Sequence, residues 1–213
     1  MTDWGLKQFT EHYANKLSES LELSESSITK EDIFHYTYGV LHNPAYRKKY
    51  ELNLKREFPR LPFYKDFYKW ANWGKELMNL HINYETVESY KLEIKNYELN
   101  NKKEDFVPKA KLRRDKTSNE IILDEQTSIF GIPEIAFDYK LGNRSAIDWI
   151  LDQYKEKKPR DATIREKFNT YKFADYKETV IDLIKRVTTV SVKTMEIVNK
   201  MEAEEPHNGK EKK

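Results

Sequence analysis

The sequence predicts an α+β fold made of a helical subdomain, a small antiparallel sheet and a long C-terminal helix. Three observations carry this expectation. Up to Tyr84 the apolar residues recur at helical spacing, most clearly Phe63, Phe67, Trp70, Trp73, Leu77 and Leu80. Beyond Tyr84 the period falls to two, as Tyr90, Leu92 and Ile94 alternate with Lys91, Glu93 and Lys95. A helical stripe returns over residues 176–201 through Val180, Ile184, Val187 and Val198.

The elements follow in order. Residues 3–22 read as an amphipathic helix on Trp4, Phe9, Tyr13 and Leu17, and the Ser/Glu-rich stretch 18–28 as a connector. Thr29 is placed to cap the next helix, with Asp32 three residues on for the reciprocal bond of a capping box. Ile33, Tyr36, Val40 and Leu41 give that helix an apolar face. Asn43-Pro44 ends it and opens another carrying Tyr46, Tyr50 and Leu54. Pro59 and Pro62 bracket an extended link, and a helix is expected over residues 63–82. Ala110–Arg113 and Glu120–Leu123 read as the arms of a hairpin with Asp115–Asn119 as its loop, and Ser128–Pro133 closes the β section. Pro133 opens a short helix, Gly142-Asn143 is a turn, and Ser145 caps a helix that reaches Tyr154. Residues 155–175 are basic and irregular. The last helix has a β-branched middle, Val187 to Val192, so packing rather than propensity must hold it. This gives an N-terminal helix and connector over residues 1–28, a main body over 29–201 (helical 29–84, β 85–132, helical 133–201), and a charged tail over 202–213 that is expected to be disordered.

Composition narrows the function. The chain has 213 residues, 38 % hydrophobic, 35 % charged and 13 % aromatic, and the aromatic share argues for a folded body. It has no cysteine, which excludes disulfides, thiolate metal sites and cysteine nucleophiles. No apolar run approaches the roughly 20 residues of a membrane span, and the N-terminus lacks the marks of a signal peptide, so a cytoplasmic location is expected. Net charge is only +2, yet residues 1–34 hold seven acids and three bases. Residues 44–60 hold six bases and two acids, and residues 102–116 and 155–172 each hold seven bases and three acids. A fold that gathered these stretches would have a basic face.

A search for catalytic chemistry finds no constellation. The six glycines are scattered, so there is no phosphate loop or dinucleotide fingerprint. His35 and His42 are seven residues apart and no acid completes a metal set, so they read as structural, as does His81 at the end of the aromatic helix. Glu134 and Asp138 form a carboxylate pair on one helix face that reads as surface. No catalytic, cofactor-binding or metal residue is expected. Nucleic acid suits the residues better. Arg113-Arg114 sits on a hairpin, and Tyr171 and Phe173 interleave with Lys167 and Lys172. Arginine can pair bidentately with guanine, and both cations neutralise phosphates. The candidate DNA-binding residues are Arg56, Arg60, Lys111, Arg113, Arg114, Lys158, Arg160 and Arg165.

Five ordered blocks carry a family resemblance. They are ITKEDIFHYTYGVLHNPAYRKKY from Ile28 to Tyr50, LKREFPRLP from Leu54 to Pro62, SIFGIP from Ser128 to Pro133, NRSAIDWI from Asn143 to Ile150, and IDLIKRVTTVSVKT from Ile181 to Thr194. Together, over about residues 2–201, they resemble the C-terminal specificity domain of type I single-polypeptide (type ISP) restriction–modification enzymes. The resemblance implies that residues 29–201 are a target-recognition domain that binds double-stranded DNA. It also implies methyltransferase and helicase domains of a parent chain as partners. That parent is expected to be a restriction enzyme and adenine-specific DNA methyltransferase that uses ATP, Mg and S-adenosylmethionine in its other domains, with no cofactor and no catalysis in this chain alone. The alternative is a structural or docking domain of the same enzyme that does not read DNA; a free-standing hydrolase lacks a constellation.

Overall fold

The structure, a computed structural model, describes residues 2–17, 28–98, 106–157, 159–167 and 171–204; for residues 14–17 and Arg165 only the backbone is described. Nearly all of the expected connector and tail, and Lys158, lie outside the described residues. The fold is α+β, as the two periodicities predict. The chain divides into two compact units, Met1–Ile82 with Glu196–Lys213, and Asn83–Met195.

The first unit holds α1 (Asp3–Leu17), α2 (Lys30–His42), α3 (Pro44–Lys49), α4 (Glu51–Leu54) and α5 (Phe67–Ile82). The capping box forms: the Asp32 N–H donates to Thr29 Oγ1 at 3.1 Å and the Thr29 N–H to Asp32 Oδ2 at 2.9 Å. The helix expected from Pro44 breaks at Tyr50, whose ψ of 19° leaves the helical range, so α3 and α4 are separate short pieces. Helix α5 starts at Phe67, not at residue 63, and the reason lies far off in sequence. Tyr36 Oη donates to the Pro62 carbonyl at 2.6 Å and accepts the Tyr64 N–H at 2.9 Å, while Tyr13 Oη donates to the Tyr64 carbonyl at 2.7 Å. These bonds spend the backbone groups of residues 62–64 and hold them extended. The core of this unit is rich in rings, with Phe9, Tyr13, Tyr36, Tyr64, Phe67 and Trp70 buried. Helices α2 and α5 meet at Gly39 and Gly74, where a Cβ on Gly74 would lie 1.8 Å from the His35 carbonyl oxygen. Only glycine permits that approach.

The second unit holds a four-stranded antiparallel sheet of β1 (Glu93–Asn96), β2 (Ala110–Arg114), β3 (Ile121–Asp124) and β4 (Thr127–Phe130), in the order β1-β4-β3-β2. The expected strand from Tyr90 starts only at Glu93, because the preceding segment is tied to the final helix α8 (Lys177–Glu202). Arg186 Nη1 donates to the Val87 carbonyl at 2.6 Å, Thr189 Oγ1 to the Glu88 carbonyl at 2.8 Å, and the Tyr90 N–H to the Lys185 carbonyl at 3.1 Å. Asp124 closes the β3–β4 turn. Its Oδ1 accepts the N–H groups of Gln126 (2.7 Å) and Thr127 (2.8 Å), and its Oδ2 pairs with Lys177 Nζ at 2.8 Å.

After the sheet come a 3₁₀ turn, Glu134–Phe137, and a small hairpin of β5 (Lys140–Leu141) and β6 (Arg144–Ser145). Helix α6 (Ala146–Gln153) follows, capped by Ser145, whose Oγ accepts the Asp148 N–H at 3.0 Å. The stretch expected to be irregular contains α7 (Ala162–Lys167), started by Asp161, whose carboxylate accepts the Ile164 N–H at 2.9 Å. The β-branched middle of α8 is buried from Val187 through Ser191, so packing does supply what propensity lacks. No helix among the described residues is long and apolar enough to cross a membrane.

Candidate nucleic-acid interface

The candidate cations fall on three pieces of chain. Arg56 and Arg60 share the turn after α4 in the first unit, and both are exposed. Arg60 is engaged locally, its Nη2 lying 3.7 Å from Glu57 Oε2. In the second unit Lys111, Arg113 and Arg114 share β2, an edge strand. Arg160 is exposed in the bend before α7; the Arg165 side chain and Lys158 are not described.

The β2–β3 hairpin is the best-built of these sites. Its loop is shaped by two residues suited to turns. Asp115 Oδ1 accepts the Thr117 N–H at 2.8 Å, and the Asp115 N–H donates to the Glu120 carbonyl at 2.8 Å. The same backbone N–H groups, from Thr117 and then Ser118, hold the Asp115 carboxyl below its ordinary range. Asn119 takes φ +54°, the left-handed conformation that asparagine tolerates. Upstream, β2 carries one extra residue: Ala110 opposes Asp124 while Arg113 opposes Ile122. The bulge is completed by Leu112, a fully buried non-glycine residue at φ +39°. Bulges bend a strand and re-aim its side chains.

The adjacent arginines therefore separate. Arg114 is partly buried, with its guanidinium carbon 3.3 Å from the centroid of the Phe137 ring and Nη2 hydrogen-bonded to Asn119 Oδ1. It braces the base of the loop. Arg113 is exposed, as are Lys111 and the loop residue Lys116. The sequence treats Arg113 and Arg114 as equals and places Asn119 in the loop, but it does not reveal the Asn119 and Phe137 contacts of Arg114 or the Leu112 bulge. The asparagine at the end of an Asp-Lys-Thr-Ser-Asn loop was the available signal.

Two aromatic candidates belong to the fold instead. Phe173 is 1 % exposed in the core of the second unit. Tyr171 stacks on Tyr176 with centroids 5.4 Å apart and donates from Oη to the Tyr154 carbonyl at 2.9 Å. The structural reading of His42 and His81 fits their contacts: His42 Nδ1 lies 2.7 Å from the Tyr38 carbonyl oxygen and His81 Nδ1 lies 2.7 Å from Tyr38 Oη. Glu134 and Asp138 are exposed. Among the described residues no group of three or more His, Asp or Glu is placed to hold a metal ion.

A family model described as "Type ISP C-terminal specificity domain" matches residues 1–183. No curated protein matches the chain. Solved structures similar to it include three DNA complexes. One, the cryoEM structure of a DrdV–DNA complex, is 52 % identical over 96 % of this chain, with a TM-score of 0.84. Another, a nuclease-deletion mutant of the Type ISP restriction-modification enzyme LlaGI in complex with a DNA substrate mimic, is 34 % identical over 85 % of this chain, with a TM-score of 0.66. The third, the ATP-dependent Type ISP restriction-modification enzyme LlaBIII bound to DNA, is 30 % identical over 92 % of this chain, with a TM-score of 0.63. This chain spans 20 %, 17 % and 12 % of the length of those three chains respectively.

Proposed function

The chain belongs to the Type ISP C-terminal specificity domain family, and from that premise we propose that it recognises a DNA target on behalf of a larger restriction–modification polypeptide. The solved structures it resembles are DNA complexes, which supports the reading. Catalysis, and with it ATP, Mg and S-adenosylmethionine, is assigned to methyltransferase and helicase partner domains outside this chain.

The observation that carries the target-reading role is the β2–β3 hairpin. Its loop is fixed by Asp115 and Asn119, its base is braced by Arg114 on Phe137, and Lys111, Arg113 and Lys116 stand exposed. A two-stranded ribbon fits the major groove, which is about 12 Å wide and displays a distinct pattern for each base pair. In this arrangement Arg113 reads a base edge, Lys111 and Lys116 hold phosphates, and Arg114 positions the loop without touching DNA. Arg56, Arg60, Lys158, Arg160 and Arg165 supply further phosphate contacts.

Selection of the chain's preferred sites from a randomised duplex pool, at two salt concentrations, tests this division. Arg113→Ala is expected to relax preference at one position, worth about 1–3 kcal/mol, with the salt slope nearly kept. Lys111→Ala and Lys116→Ala are expected to weaken all duplexes alike and to lower the salt slope by about one each. Arg114→Ala should blur the preference and also lower the melting temperature. Selected sites and affinity that are unchanged in Arg113→Ala would show that the hairpin does not read DNA.

A further inference from the structure

The turn between α4 and Tyr64 exposes an apolar side chain in a cationic setting. Phe58 is 95 % exposed, more than any other large hydrophobic side chain among the described residues. An exposed apolar residue alone means little. The surroundings of Phe58 are more specific. It lies at the edge of a groove of about 130 Å³ walled by Tyr46, Tyr50, Leu54 and Pro59. The turn that presents it is held in place: Tyr46 Oη donates to the Arg60 carbonyl at 2.9 Å, and the Glu57 N–H donates to the Asn53 carbonyl at 2.8 Å. Pro59 fixes the backbone immediately after it.

The charge around this tip is positive. Arg47, Lys48, Lys49 and Arg56 are all exposed. The two acids of the stretch are engaged by neighbours, Glu51 with Lys55 Nζ at 2.6 Å and Glu57 with Arg60 Nη2 at 3.7 Å. An aromatic ring on a braced turn, framed by cations, matches a polyanion that also offers flat apolar faces. Duplex DNA has both, in its phosphates and its base steps.

We propose that Phe58 is an apolar wedge that enters a base step of duplex DNA and bends it, while Arg56 and the exposed cations of α3 hold the flanking phosphates. The proposal rests on the DNA-recognition reading above, but it concerns the other unit and uses none of the hairpin residues. Inserted side chains of this kind unstack one step and kink the duplex by about 20–90°.

The test uses the 213-residue chain and short duplexes labelled at both ends, read by energy transfer for bending and by titration for affinity. The wild type is expected to shorten the end-to-end distance on binding. Phe58→Ala should lose the bend and bind roughly 5- to 100-fold more weakly, the scale of one lost base stack. Its melting temperature and salt slope should stay unchanged, because an exposed ring supports neither the fold nor the phosphate contacts. Phe58→Trp should keep the bend, and its indole fluorescence should be quenched by the bases. Wild-type binding with an unchanged bend and affinity in Phe58→Ala overturns the wedge and leaves the hairpin reading standing. No duplex binding by the wild type at either salt overturns both. Binding of anionic vesicles that Phe58→Ala abolishes, with DNA bending intact, assigns the ring to a lipid surface and also overturns the wedge.

Discussion

Among the described residues, seven of the fourteen buried core side chains of the first unit are aromatic, against two of sixteen in the second. The polar groups differ in the same direction. In the first unit buried tyrosine hydroxyls serve as fixed anchors for backbone carbonyls and N–H groups distant in sequence. In the second an aliphatic core lies between strands and helix, and a buried carboxylate, Asp124, is set at a turn and paired with Lys177. Rings are large and rigid, and their hydroxyls need partners in set places. Such a core determines an irregular link such as residues 62–64 as firmly as it does a helix. An aliphatic core under a sheet specifies the faces of its strands and leaves the hairpin ends to be held by their own residues, as Asp115 and Asn119 do here. That difference suits the roles proposed for them, a turn braced by the core and carrying one ring in the first unit, and a reading loop braced by its own residues in the second.

The largest expected effect tests how little slack the aromatic unit has. Gly74→Ala puts a methyl group 1.8 Å from the His35 carbonyl oxygen, a backbone atom that moves only if α2 and α5 part. The expected loss is about 3 kcal/mol or more, at the upper end for overpacking. The matching change in the second unit is Gly131→Ala. Gly131 also needs its glycine, for φ +83°, but an added Cβ meets nothing within 4 Å. The expected loss there is only the left-handed penalty of about 1–2 kcal/mol. Urea melts of both variants measure this, and equal losses would break the contrast.

Tyr36→Phe is expected to cost less, about 2 kcal/mol. It removes one hydroxyl, but it strands the buried Tyr64 N–H and leaves the Pro62 carbonyl short of a donor. Amide exchange at Tyr64 should rise with the loss of stability. An unchanged melting temperature would mean that the extended link holds itself.

These contrasts also show what was legible in the sequence. The sheet was legible because alternation is a local signal, and the hairpin loop because Asp115 and Asn119 are turn formers in their own right. The basic stretches could be counted, but not the state of each cation. Arg113 and Arg114 differ through a bulge at Leu112, and nothing about a leucine announces φ +39°. The start of α5 was misplaced because Phe63 continues the helical spacing, while the bonds that pull residues 62–64 out of the helix come from Tyr13 and Tyr36. Gly39 and Gly74 gave no sign of their role, since a close crossing is a property of two segments and not of either one. Phe58 passed unnoticed because exposure cannot be read from a single aromatic between a glutamate and a proline.

The smallest effect should appear on changing pH, and it should appear in one unit first. All five histidines fall in the first unit's stretches and none in Asn83–Met195. Burial, with the neighbouring His42 as a lesser cause, pushes His81 down to about 4, and burial also lowers His42. Their rings lie 5.3 Å apart, with Tyr38 Oη against His81. A folded pKa below the unfolded value of about 6.5 means that the unfolded chain takes up protons that the folded unit refuses. The stabilisation is therefore complete above pH 6.5 and is lost as pH falls toward 4. The second unit has no histidine, and its shifted acids Asp115, Asp152 and Asp182 lie below 3.8, so their contribution is lost only in stronger acid. On moving from pH 7 to 5, amide protection corrected for intrinsic exchange should fall in α2 and α5 and hold in β3 and β4. In alkali the same unit should weaken first, because burial raises Tyr13 and Tyr64 to about 12 and ionisation of the unfolded tyrosines then drains its stability above pH 10. Equal loss of protection in the sheet at pH 5 would show that the histidine pair does not set the acid response.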